Sequence, residues 1–116
     1  MNMNTNYDYF EFADIAVTVI DKDGRIMDMN GMAKKTYVRP GGSSLIGDNA
    51  LDCHPAPAKS ILEDMLANPR TNIYTLEKDG TKKLIFQCPW YDEDRRYAGY
   101  IEFAIVLPGV ILNRVK

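Results

Sequence analysis

The sequence is short of the residues on which much protein chemistry depends. Its 116 residues include one histidine, two cysteines and one tryptophan. With His54 as the single histidine and no Cys-x-x-Cys pair, a cysteine- or histidine-rich metal cluster has no ligand set. A Ser-His-Asp or Cys-His-Asn triad fares no better. His54 adjoins Cys53, and the side chains of neighbouring residues diverge. The carboxylate pairs Asp21/Asp23, Glu63/Asp64 and Asp92/Asp94 fall in turn-like or solvent-facing stretches. Gly41-Gly42-Ser43-Ser44 lacks both the lysine and the preceding strand of a phosphate cradle. These gaps argue against an enzyme.

Charge of one sign is also lacking. Fourteen basic against sixteen acidic residues leave a net charge of −2, and the basic pairs Lys34-Lys35, Lys82-Lys83 and Arg95-Arg96 are scattered, so no nucleic-acid surface is expected. No apolar run approaches the ~18 residues of a membrane span, so no membrane insertion is expected either. Residues 1–6 are polar and uncharged, which reads as a flexible N-terminus rather than a secretory signal and places the protein in the cytoplasm. There Cys53 and Cys88 are expected as free thiols. No lysine or arginine flanks Cys88 in its strand to depress its pKa for redox work.

What is present is a set of acidic-glycine turns between β-type runs. Asp21-Lys22-Asp23-Gly24 joins residues 15–20 to 25–30, Lys78-Asp79-Gly80 joins 72–78 to 82–91, and Asp92 to Gly99 leads into 97–107. Five strands are thus predicted, with the helices between the second and third. After Pro57, the residues Ala58, Ile61, Leu62, Met65 and Leu66 mark one apolar stripe of a helix that Asn68-Pro69 ends. Shorter helices are predicted over 7–13, where Asp8 is a cap, over 31–37, and as a single turn over 43–47. In the second strand, alternation puts Ile26 on one face and Met27 and Met29 on the other. Ile73, Leu84, Ile85, Phe86, Ile101, Phe103 and Ile105 are core candidates. The last two strands are apolar on both faces, so the face the helices leave bare calls for the N-terminal helix or a second copy of the chain. Tyr9, Phe10 and Trp90 are the candidate dimer contacts. A chain of this length makes one domain, here residues 7–107, with 108–116 as a tail or the start of a linker.

The order of these elements carries a resemblance. Val19-Ile20-Asp21-Lys22-Asp23-Gly24-Arg25-Ile26, a second strand ending in Asn30, Leu45-Ile46-Gly47-Asp48-Asn49, His54-Pro55, the longer helix, and the turn from Asp92 to Gly99 followed by Tyr100-Ile101 together resemble a PAS domain. The resemblance implies an α+β fold with a five-stranded antiparallel sheet in the order 2-1-5-4-3, short helices and one longer helix being packed on one face. It implies a sensory or dimerisation module of bacterial or archaeal signalling, with a small-molecule ligand in an internal pocket. Asn30, Cys53, His54, Tyr74, Phe86 and Cys88 are the candidate pocket residues, with Gln87 a further polar tip nearby. Asn30 serves more readily to satisfy the backbone at the strand's end than to donate to a ligand. No cofactor is expected. In one alternative His54 ligates haem iron; in another the chain is an interaction domain with no ligand. The flavin-photosensor cysteine motif has no counterpart in Ala50-Leu51-Asp52-Cys53-His54-Pro55, so flavin is not expected.

Overall fold

A computed structural model describes residues 8–116. The expected flexible segment 1–6, and Tyr7 with it, lies outside the described residues. Helix α1 (Tyr9–Phe12) starts under the Asp8 carboxylate, whose Oδ1 accepts from Glu11 N at 3.0 Å. Strands β1 (Ala16–Asp21) and β2 (Ile26–Met29) form the first hairpin, and α2 (Gly31–Thr36) follows directly. A 3-10 turn (Ala50–Cys53) and α3 (Ala58–Ala67) precede the meander β3 (Asn72–Lys78), β4 (Thr81–Tyr91) and β5 (Tyr97–Val106). The antiparallel sheet has the order β2-β1-β5-β4-β3. The expected turn of helix over 43–47 does not form. That stretch is a loop folded against the edge of β2, with Ile26 N donating to Asp48 O at 2.8 Å, Gly47 N to Ile26 O at 2.8 Å and Ala50 N to Gly24 O at 2.7 Å. Pairing with the strand edge satisfies backbone groups that a single helical turn would leave open.

Two of the turns share one construction. In the first, Asp21 Oδ1 accepts from Asp23 N and Arg25 N, each at 2.9 Å. In the last, Asp92 Oδ1 accepts from Asp94 N and Arg96 N at the same distance. Both close with a bond from the aspartate N–H to the carbonyl four residues on. The fourth position is left-handed in each, but it is Gly24 (φ 88°) in one and Arg95 (φ 63°) in the other. The third turn is a two-residue hairpin loop, Asp79 (φ 52°) and Gly80 (φ 79°), the type I′ geometry that matches strand twist.

Strand β2 departs from simple alternation. Thr18 pairs with Met29 and Val19 with Asp28, but Ile20 pairs with Ile26, so Met27 is the extra residue of a bulge. Ile26 and Met29 are therefore both buried while Met27 is exposed, which corrects the two-faced reading of this strand.

The core lies between the sheet and the helices: Ala16 and Ile20 of β1, Ile85 of β4, and Tyr100 and Ala104 of β5 pack with Leu62 and Met65 of α3. Tyr100 locks this arrangement by donating its hydroxyl to Met65 O at 2.7 Å and accepting from Arg70 N at 2.9 Å. Of the seven predicted core residues only Ile85 is fully buried; Ile73 is exposed, and the others are half-buried on the opposite sheet face. There Ile73, Phe86, Phe103 and Val17 form one cross-sheet row, and Cys88, Ile101 and Val19 form the next.

Asn30 is the one buried polar side chain among the described residues. Its Oδ1 accepts from Val17 N at 2.9 Å and Ala33 N at 3.0 Å, and its Nδ2 donates to Phe10 O at 2.9 Å and Ile15 O at 2.7 Å.

Two expectations follow for stability. Arg95→Gly should stabilise the fold by about 0.5–1 kcal/mol, because glycine enters the left-handed region without a Cβ penalty. Gly24→Ala should destabilise it by at least about 1 kcal/mol, since its Cβ would stand 2.9 Å from Asn49 Oδ1 at an unfavourable φ. Thermal denaturation of both variants checks this, and equal midpoints would show the turns to be strain-free. Asn30→Ala leaves four backbone groups without their partner and should cost at least about 3 kcal/mol. A loss under about 1 kcal/mol in urea unfolding would mean that relaxation or water replaces the amide.

Candidate functional site

Between the helices and the sheet lies a cavity of about 480 Å³. Its walls are apolar, built from Ile20, Ile26, Met29, Leu45, Leu62 and Met65. Its floor is polar, because one cross-sheet row of the inner face carries polar residues on four of the five strands, β2 alone giving an apolar one, Met29. Thr18 of β1 pairs with Glu102 of β5, Glu102 with Gln87 of β4, and Gln87 with Asn72 of β3. Asn72 Nδ2 donates to Gln87 Oε1 at 3.0 Å, and Gln87 Nε2 donates to Glu102 Oε2 at 2.8 Å. Every amide in this chain has its direction set by the next, and the chain ends on a carboxylate.

The rim combines Tyr37, Arg39, Cys53 and His54. Arg39 pairs with Asp48 and donates from Nη2 to Ser44 O at 3.0 Å, which closes the loop before the 3-10 turn; its Nε is buried without a partner. His54 Nδ1 lies 2.6 Å from Ala50 O, so this nitrogen carries the proton and Nε2 is left as an acceptor. Cys53 Sγ contacts Asn49 O at 3.7 Å. A neighbouring cavity of about 420 Å³ shares His54, Leu62, Met65 and Gln87 and adds Asn72 and Tyr74.

The candidate pocket residues thus separate. Cys53 and His54 line the larger cavity, and His54 and Tyr74 the smaller. Asn30 lines neither, its amide being taken up by four backbone groups. Phe86 and Cys88 are corrected to the opposite sheet face: Phe86 meets Phe103 edge-on with ring centroids 6.3 Å apart, and Cys88 pairs with Ile101. Of the candidate dimer residues, Tyr9 is 82% exposed and Phe10 half-buried. Trp90 donates its indole N–H to Ile20 O at 3.0 Å, reaching past β5 at Gly99, its pairing partner. Sequence reasoning missed Tyr37, Arg39 and Glu102 as site residues. The available signal was Gln87 and Glu102, single polar residues set into strands otherwise apolar on both faces.

No family model matches the sequence, and no curated protein matches it. Solved structures do. The PAS domain of BvgS from Bordetella pertussis superposes with a TM-score of 0.62 at 20% identity, covering 85% of this chain and 81% of that one. A sensory box sensor histidine kinase from Vibrio cholerae gives 0.62 at 14% identity, covering 83% and 84%. The Aer2 receptor from Vibrio cholerae, described as a dual PAS-haem oxygen sensor, gives 0.58 at 19%, covering 81% and 95%.

The fold is that of a PAS domain.

In this PAS fold the Leu45 to Asn49 segment has a visible task. Asn49 Nδ2 donates to Asp23 O at 3.0 Å and its Oδ1 caps Leu51 N at 2.9 Å, joining the first turn to the 3-10 helix that forms the cavity's mouth. Among the described residues no group of three His, Cys, Asp or Glu side chains is placed to hold a metal ion, and no helix is long and apolar enough to cross a membrane.

Burial, together with the nearby Glu102 carboxylate, raises the phenol of Tyr37 from 10.0 to about 12 and also raises that of Tyr74. A phenol raised on folding stabilises the fold fully below its unfolded value near 10, and this contribution is lost as pH rises from there through about 12. Tyrosinate absorbance should therefore show Tyr37 ionising late, together with Tyr97, whose phenol burial also raises to about 12, and Glu102→Gln should lower the Tyr37 and Tyr74 midpoints together. Unmoved midpoints would show that Glu102 exerts no charge on the cavity.

Proposed function

We propose that this chain is a non-enzymatic sensory module of bacterial or archaeal signal transduction that binds a small organic ligand in the cavity and associates as a homodimer through the outer sheet face. The observation that carries the reading is the oriented polar row in an apolar-walled cavity. A filled core gains nothing from Thr18, Gln87 and Glu102 there, whereas a ligand site needs a few directed polar groups on apolar walls. Sensor proteins among the structural neighbours support the same assignment. The two free thiols accord with a reducing cytoplasm.

The dimer reading rests on the outer face, where Val19, Leu84, Phe86, Ile101, Phe103 and Ile105 are half-buried. Phe12, at the end of α1, is 81% exposed. Because Trp90 has a bond within its own sheet, Phe103→Glu is a cleaner probe of this surface than truncation of Trp90. Sedimentation should show a dimer for the native chain and a folded monomer for Phe103→Glu. An unchanged association state would reject this face, and native mass spectrometry of fresh protein should show an added small-molecule mass.

A second reading has one observation in its favour. His54 is anchored through Nδ1 to a backbone carbonyl with Nε2 unengaged at the cavity, the arrangement in which imidazole binds metal ions and haem iron. A Soret band lost in His54→Ala would turn the assignment to haem sensing. A colourless protein whose ligand mass survives that substitution keeps the first reading. A protein with neither mass nor colour would be the ligand-free interaction domain.

A further inference from the structure

The cavity's charges are unequal, and the inequality identifies the occupant it suits. Its one arginine is engaged at the guanidinium end: Arg39 pairs through Nη2 with Asp48, and its Nε is left without a partner. The remaining ion pairs among the described residues, Lys34 with Glu11, Arg70 with Asp64 and Lys82 with Glu77, all lie elsewhere. None of them includes Glu102. Its carboxylate is half-buried at the cavity floor, held by one amide donor on Oε2, and has no cation. A carboxylate between apolar walls is costly to leave unpaired.

We infer that the cavity is built for a small organic cation, an amine with an apolar body, whose ammonium group is held by Glu102. The inference rests on the reading of the cavity as a ligand site and names the chemistry of its occupant. The Asn72-Gln87-Glu102 chain fits this role because it fixes the carboxylate from one side only, leaving Oε1 for a donor. Thr18 stands beside Glu102 in the same row, and its hydroxyl can accept from a second ammonium hydrogen. The Tyr37 ring lines the same space and offers a face to a cation, while Met29, Leu62 and Met65 take the apolar body. A carboxylate ligand would meet Glu102 as a like charge, and its natural partner, Arg39, already holds one. The raised phenols of Tyr37 and Tyr74, each owing part of its shift to Glu102, show that the negative potential reaches the space an occupant would fill.

Matched probes separate charge from shape: phenethylamine as the cation, 2-phenylethanol as its neutral counterpart and 3-phenylpropionate as the anion. Each is titrated into the full chain by calorimetry and by amide-shift mapping. Phenethylamine should bind at least about tenfold tighter than 2-phenylethanol, with 3-phenylpropionate weakest. Glu102→Gln should remove that preference by weakening phenethylamine most, with the variant's dispersed amide spectrum serving as proof that it is folded. If the variant does not fold, the order of the probes on the native chain decides. Equal or tighter binding of the alcohol or the anion at the cavity would overturn the cation assignment and leave the ligand-site reading standing. Failure of every probe to shift cavity residues at millimolar concentration would overturn both.

Discussion

Four hydrogen bonds to one amide hold the helical layer to the sheet. Asn30 closes β2, caps α2 through Ala33 N, takes up Val17 N in β1, and gives its two N–H groups to Ile15 O and to Phe10 O at the end of the chain's first helix. Both lone pairs and both protons of the amide are used. No other side chain of this size supplies two donors and two acceptors in one plane. The angle at which α2 leaves the sheet is thereby set, and with it the position of Tyr37, whose N–H ends that helix on Ala33 O. A residue that looks like a ligand contact in sequence is thus one that places the cavity-facing residues. Removing it would disturb the cavity without touching it.

The sheet beyond Asn30 serves different surroundings on its two faces, and the pleat keeps them separate. Where it lines the cavity the inner face is apolar except for one row, where Thr18, Glu102 and Gln87, with Asn72 beyond them, align because their strands are in register there. A shift of one residue in β4 would send Gln87 outward and Phe86 inward, destroying the row. The turns guard against that slip. The type I′ loop at Asp79-Gly80 fixes β3 against β4, and the Asp92 loop fixes β4 against β5. Gly99 allows the close approach at the far end, since a Cβ there would fall 1.9 Å from Ile20 O. Local turn chemistry therefore determines the geometry of a polar group several residues away.

These turns are also what made the fold readable in advance. Asp-x-Asp-Gly, Asp-Gly and the acidic loop each carry a local mechanism, so strand number and the placement of α3 follow from sequence, and the implied strand order agrees with the observed one. The bulge at Met27 was not legible, because an inserted residue leaves no mark in composition and only pairing with β1 reveals it. The same limit explains 43–47, where a strand edge competes with a helical turn and wins through backbone bonds invisible in the side chains. Site residues fared worst. Phe86 and Cys88 were assigned to the pocket by their chemistry, but strand parity decides which face a residue serves, and parity is ambiguous when both faces are apolar. Tyr37 and Arg39 reach the cavity from a loop whose path only the tertiary fold defines.

That parity has a mechanical consequence for the proposed sensor. Glu102 lies between Ile101 and Phe103 in β5, Gln87 between Phe86 and Cys88 in β4, and Thr18 between Val17 and Val19 in β1. Each of these three residues is therefore flanked by two apolar residues of the outer face, separated from them by single peptide units. A ligand that draws Glu102 and Gln87 together or apart has to alter the pleat at this point, and the Phe86–Phe103 pair is the first packing to feel it. An occupant can shift the association of the outer face only to the extent that it binds one pleat geometry more tightly than another. A charge pair at Glu102 would provide such a difference where one pleat geometry lets the ammonium donate to Oε1 at hydrogen-bond distance and the other does not, whereas Leu62 and Met65 lie on α3, outside the sheet, and would contact the occupant in both. On this argument the polar row serves as the transmitting element and the apolar walls supply affinity without signal.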